Sequence, residues 1–358
     1  MSRHLLKKQL GEASYTANIA ASFTGRDLNS VVGHVNVDQL TKTSEKGQYT
    51  LDSLRLRAGN NREGHYLTLN SDFADVSLSG RFDYSTLIQT LKNAVASKLP
   101  SIQQLTNIRY HRTVGNDFSL RGTVTRTDWL REFFGANITL TQPLNLSAST
   151  SQNGRKVEAN IFAPKIVYNN SIYKDVSVMV SSPDDQLNAD ISMVKVGSNG
   201  IGTDYRFEAS AKDDQLTSVL TLDNHAAIQR LKGRLNSVVT FHRGNNSMAE
   251  AHINISPSEV SIGDSTFTIH PSNVVYSKDH LEVNDFFVSG GNQRISINGV
   301  TSKSTSDSLQ VDLDHVNVAY LLNLVNFRAV KFSGHASGRA YLSNLFGTPD
   351  AQGNLDVE

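Results

Sequence analysis

Apolar and polar residues alternate with a period of two along most of this chain, and a polypeptide with that pattern places one set of side chains on each face of a strand. Leu54 and Leu56 alternate in this way, as do Leu144 and Leu146, then Val157, Ala159 and Ile161. Val176, Val178 and Val180 follow, then Leu187, Ala189, Ile191 and Met193, and later Ala249, Ala251, Ile253 and Ile255. Turn signals separate the runs: "NNREG", "SQNGR", "SPDD", "AKDDQ", "RGNNS" and "SGGNQ". Their spacing is that of successive hairpins. The pattern predicts an all-β fold, a long and mainly antiparallel meander.

Four stretches depart from the period. A motif of form apolar-Ser-apolar-x-Gly occurs as "VSLSG" from Val76, "FSLRG" from Phe118 and "ISING" from Ile295. The first two lead into helical stripes. Leu87, Ile88, Leu91 and Val95 follow a Thr86/Gln89 capping box and stop at Pro100. Trp129, Leu130, Phe133 and Phe134 share a face after Thr127 or Asp128, with Gly135 placed to end the turn. "DNHAAIQRLKG", from Asp223 to Gly233, is a weaker third stripe. In "SLQVDLDHVNVAYLLNLVNF" the strand pattern of Leu309, Val311 and Leu313 runs directly into a fourth, Val318, Leu321, Leu322 and Val325. The recurring unit is strand, turn, short amphipathic helix.

Composition narrows the function classes. Hydrophobic residues are 38% of the 358, which suits sheets with one buried face. Lys plus Arg total 34 and Asp plus Glu total 34, so no net positive field draws in phosphate backbones, and no nucleic-acid partner is expected. The chain has no cysteine, which excludes disulfides and thiolate metal sites. Neither a signal peptide nor an apolar stretch of spanning length is present in the sequence. The last residues, "GNLDVE", read as mid-strand, and the start has no obvious cap, so the chain is expected to be one segment, 1–358, of a longer protein. Its possible sub-units are 1–135, 136–235 and 236–358.

No catalytic constellation is legible, and the chain is not expected to be an enzyme or to carry a metal or cofactor. The 11 histidines are scattered singly, without the spacing of a zinc site. "GSNGIG" from Gly197 is not a dinucleotide fingerprint, and "GHASG" from Gly334 is not a nucleophile elbow. The pairs Asp184/Asp185 and Asp213/Asp214 fall in expected hairpin turns. What remains is the apolar stripe itself. In one reading two sheets close on each other as an adhesive or structural cell-surface sandwich or solenoid with a self-filled core. In the other an open, curved sheet lines a groove. The candidate lining is then Val76, Leu78, Phe82, Phe118, Leu120, Val124, Val176, Val178, Ile191, Met193, Tyr205, Phe207, Ile295, Ile297, Leu309, Val311 and Leu313.

The stretches "YLTLNSDFADVSLSGRFDYSTLIQTLKN", "FSLRGTVTRTDWLREFFG" and "ISINGVTSKSTSDSLQVDLDHVNVAYLLNL", with "VKFSGHASGRAYLSNLFGTPDAQGNLDVE" at the end, resemble the TamB family, in particular the long TamB-like proteins of Bacteroidota. The resemblance implies an elongated β-groove (β-taco) of the AsmA-like kind, with an apolar floor and a few short amphipathic helices. It implies the periplasmic portion of an inner-membrane-anchored protein in a Gram-negative envelope. Phospholipid acyl chains would be the cargo, and an outer-membrane barrel of the TamA type would be met through parts outside this segment. The family is linked to phospholipid transport between the two membranes and to outer-membrane protein assembly and secretion. It supplies no catalytic residues.

Overall fold

A strand with one apolar side must pair with others of the same phase, or its apolar residues would scatter over both faces of the sheet. The computed structural model describes residues 13–45, 47–106, 108–113, 115–197, 200–227, 230–243, 249–318 and 334–358. It is all-β: among the described residues 23 strands belong to one antiparallel sheet. The chain divides into two compact units, Met1–Ala94 with Tyr110–Gly202, and Val95–Arg109 with Thr203–Glu358.

The first unit holds β1 (Ala13–Thr24), β2 (Val32–Ser44), β3 (Gly47–Asn61), β4 (Gly64–Ser71), β5 (Ala74–Arg81), β6 (Asp117–Val124), β7 (Ile138–Leu140), β8 (Leu144–Ser151), β9 (Lys156–Tyr168), β10 (Ser171–Ser181) and β11 (Leu187–Val196). Helix α1 (Leu87–Lys98) follows β5, and α2 (Asp128–Phe134) follows β6. The two motif strands are antiparallel neighbours, so Val76 faces Gly122, Leu78 faces Leu120 and Gly80 faces Phe118. Gly80 has φ +135°, and a Cβ there would stand 2.3 Å from the Asp117 carbonyl oxygen. Only glycine fits that approach.

The second unit holds β12 (Gly202–Lys212), β13 (Gln215–Asp223), β14 (Leu231–Arg243), β15 (Ala249–Ile255), β16 (Ser258–Ile262), β17 (Ser265–Ile269), β18 (Ser272–Ser277), β19 (His280–Gly290), β20 (Gln293–Ser302), β21 (Ser308–Asn317), β22 (His335–Ser343) and β23 (Asp350–Val357). Its meander is interrupted once. Long β14 is paired end to end by β15 and β16, and long β19 by β18 and β17. Pro257 and Pro271 stand at those two breaks, and Pro143 stands at the equivalent break between β7 and β8. Proline has no N–H to give to a ladder, so a row of pairs stops there.

Four bulges offset the alternation. The register shifts between Lys174 and Ser177, between Val283 and Phe286, and between Leu313 and Val316, with a fourth beside Gln39. Each carries a residue in the left-handed region: Gln39, Asp175, Asp285 and His315, with φ between 49° and 54°. The extra residue keeps the phase: Val283 and Phe286, three apart in sequence, both line up with the Ile297/Gly299 side of β20. A bulge also bends its strand and tightens the local twist.

Two helix expectations need correction. Asp223–Gly233 is not helical in its described residues: Asp223 ends β13, Leu231 starts β14, and Asn224 Oδ1 accepts from the N–H groups of Ala226 and Leu231, which closes a turn. Asx side chains offer the backbone this alternative to a helix. In α1 the stripe Leu87/Ile88/Leu91/Val95 does not pack as a set. Ile88 is 71% exposed and Leu91 is also exposed, while Thr90 and Ala94 are buried. Small residues bring the helix close, and a threonine there meets a buried asparagine. Leu321, Leu322 and Val325 of the fourth stripe lie outside the described residues.

Candidate apolar groove

Within the first unit the registers carry one apolar row across six neighbouring pairs, from Leu69 through Val76, Gly122, Leu146, Ile161 and Val178 to Ile191. Leu78, Leu120, Val124 and Phe118 stand on the same face of β5 and β6, and Phe82 follows β5 in the same phase. Val176 and Met193 sit on that face beside the Asp175 bulge. The central position of this floor is Gly122, where a Cβ would lie 3.1 Å from Val76 Cγ2 and 3.4 Å from Leu146 Cδ1. Its neighbours close over it.

In the second unit Tyr205 and Phe207 face Leu222 and Leu220. Ile295 and Ile297 face Val288 and Phe286 on one side and Leu313 and Val311 on the other, and Leu309 faces Gly299. A continuous line of pairs, Leu216–Val239–Ile253–Val274–Val283–Gly299–Leu309, puts all of them on one face.

Burial separates these residues into two kinds. Leu78, Phe82, Phe118 and Leu309 are buried; the other expected lining residues are partly exposed. Two sealed clusters account for much of the burial in the first unit. Leu78, Phe82 and Phe118 are joined by Tyr84, Leu87, Leu67 and Leu120 at the α1 end of the strands. Leu51, Phe73 and Ala74 are joined by Trp129 and Phe133 of α2 at the other end. Between them the row through Leu146, Val178 and Ile191 is only half-covered, and Ile161 is 38% exposed. The helices thus seal the ends of the apolar face and leave its middle open.

Polar groups hold both helices in place. Asn116, fully buried, donates from Nδ2 to the Thr86 and Thr90 hydroxyls at 3.0 and 2.6 Å and accepts from the Asp83 N–H at 2.8 Å. The Thr86 hydroxyl itself donates to the Asp83 carbonyl. At α2, Arg126 forks onto Asp128 through two hydrogen bonds of 2.9 Å and reaches Asp72 at 3.1 Å. Tyr49 donates to Asp128 at 2.7 Å, Trp129 Nε1 donates to the Arg126 carbonyl, and the buried Lys42 ammonium bonds the Glu132 carbonyl. Burial, then donation to Asp128, pushes the Tyr49 phenol up to about 12. Hydrogen bonds from Arg126 hold the Asp128 carboxyl below its usual range. Gly135, φ +71°, ends α2 with its N–H on the Arg131 carbonyl, as the sequence predicts.

Sequence reasoning missed Asn116, Arg126 and Tyr49, because none breaks a pattern; each matters only through partners distant in the chain. It also missed the bulges, although each has a local mark. "VDQL", "YKDV", "VNDF" and "LDHV" all set two polar residues where alternation allows one. The Asp213/Asp214 pair does form a hairpin turn, and Asp214 in addition accepts from the Ser101 N–H and hydroxyl. Among the described residues no three His, Asp or Glu side chains converge as a metal site, and no helix is long and apolar enough to cross a membrane.

No family model, curated protein or solved structure matches the chain.

Proposed function

We propose that this chain is a periplasmic segment of an inner-membrane-anchored envelope protein whose apolar sheet faces shelter phospholipid acyl chains in transit between two membranes, in the manner of the TamB family it resembles. Outer-membrane protein assembly and secretion, with a barrel of the TamA type, would engage parts outside this segment. The observation that carries the proposal is the half-covered middle row of the first unit. A self-filled sandwich would bury the centres of its strands first, whereas here the ends are sealed and the centres are not.

The energetics suit passage better than storage. Each methylene withdrawn from water contributes about 0.8 kcal/mol, so about eight of them would supply roughly 6 kcal/mol. Association costs take back about 4 kcal/mol or more. An acyl chain held this weakly can move on along the row.

The test places one charge in the face. Val178, Ile191, Phe207 and Ile297 are each changed singly to Asp, and binding of a fluorescent fatty acid is measured beside unfolding in urea. In an open groove the charge keeps access to water, so a loss of about 1–2 kcal/mol is expected, with reduced fatty-acid binding. If every variant unfolds and the unmodified chain binds no fatty acid, the face is a sealed core and the proposal fails.

A further inference from the structure

The polar face of the first unit is not flat. A recess of about 630 Å³ opens across β4, β5, β6, β8, β9 and β10; most of its lining comes from residues that alternate with the apolar row, and Val76, Gly122, Leu146 and Ile161 of that row also border it. At its middle stands Arg121, which faces Ser77 on one neighbouring strand and Ser147 on the other. Arg121 is exposed, and its side chain has no hydrogen bond or ion pair among the described residues. Arg55 and Arg126, by contrast, are both paired with carboxylates. Arg121 is the single cation of the recess, and Asp75 the single acid.

The remaining groups specify a ligand. The Asn160 side chain makes no hydrogen bond among the described residues, and Asn145 uses its side-chain carbonyl oxygen to accept from Thr123, which leaves its amide N–H groups for a ligand. Asp75 accepts from Asn70 at 2.8 Å and keeps a second carboxylate oxygen for another donor. Phe162 and Met179 are exposed at the far side. Phe162 is two strands from Arg121, roughly 10 Å away. The ligand therefore carries many hydroxyls, an apolar CH face for the ring, and one negative charge. A peptide is a poor match, because the backbone groups beneath the recess are committed to the ladders and an extended peptide would find none free. A phosphate dianion is also a poor match for one arginine with a carboxylate diagonally beside it, about 7–8 Å off.

We propose that this recess is a binding site for an acidic saccharide, its carboxylate on Arg121, its hydroxyls on Asn145, Asn160 and Asp75, and a ring face against Phe162. The residues assigned to the saccharide alternate along their strands with the apolar row, so the proposal does not rest on the groove.

The experiment titrates the full chain with a panel of uronate trisaccharides, with maltotriose and inorganic phosphate as comparators. Fatty-acid binding and thermal melting serve as independent readouts. The uronates bind; Arg121→Gln weakens them at least about tenfold, the effect of losing one charge-assisted hydrogen-bonded pair. Phe162→Ser weakens them too, and neither change moves the melting curve or fatty-acid binding. Three results would overturn the proposal: no uronate bound at millimolar concentration, maltotriose bound as well as the uronates, or phosphate bound at Arg121 in their place.

Discussion

Asn116 shows how one side chain fixes an element to the sheet. All its surface is buried, and it links the start of α1 to the turn after β5 while its own carbonyl accepts from Thr150. Truncation would leave the Asp83 N–H and two threonine hydroxyls without that partner in a site water does not reach. Asn116→Ala is expected to lower stability by about 2–3 kcal/mol in urea unfolding, with Asn116→Asp no better, since it loses the donor. The Tyr49–Asp128–Arg126 cluster makes stability depend on pH at both extremes. Asp128 has a depressed folded pKa, so its contribution is present above the unfolded value of about 3.9 and is lost as pH falls through the lower folded value. Tyr49 has a raised one, so its contribution is present below about 10 and is lost as pH rises toward about 12. Melting followed against pH should show a plateau between the two. Tyr49→Phe should flatten mainly the alkaline side, and Asp128→Asn should remove the acid limb and also weaken the alkaline one, because Asp128 helps raise the Tyr49 phenol; identical profiles for all three proteins would show that the cluster does not couple to folding. Of these residues the sequence singled out only Asp128, as a candidate cap, because Asn116 and Arg126 are ordinary loop residues until the fold brings their partners to them.

At the scale of elements, the alternation made the strands legible and the bulges hid in it. Leu313 and Val316 lie on one face only because His315 takes an extra step, and the same holds around Asp175. Removing Asp175 would shift every later residue of β10 by one and turn Val176, Val178 and Val180 to the polar side. Deletion of Asp175 should therefore prevent folding of the first unit, whereas Asp175→Gly, which suits the left-handed conformation, should be neutral or slightly stabilising. A deletion variant with native melting would contradict the bulge. The turns were legible for a simpler reason, since Asn and Asp tolerate positive φ. Asn169 and Asn170 join β9 to β10 at φ 46° and 65°, and Asn170→Ala should cost about 1 kcal/mol. The helices were half legible. Trp129 and Phe133 do pack on the sheet, but α1 turns Thr90 and Ala94 inward and leaves Ile88 out; its docking face is chosen by Asn116, which hydrophobic periodicity cannot register.

For the whole molecule, what matters is which face of the sheet is which. Adjacent residues on a strand sample opposite sides, so they are matched controls for one another. Val178 and Ile297 are half-covered on the apolar face of their units, and Ser177 and Ser296, one residue earlier, point to the polar side. A photoreactive phenylalanine analogue placed at each of the four positions, in the full chain purified with phospholipid and irradiated, tests the central claim most directly. The account predicts lipid adducts by mass spectrometry at 178 and 297 and none at 177 and 296. Adducts at all four, or at none while the chain remains folded, would contradict it.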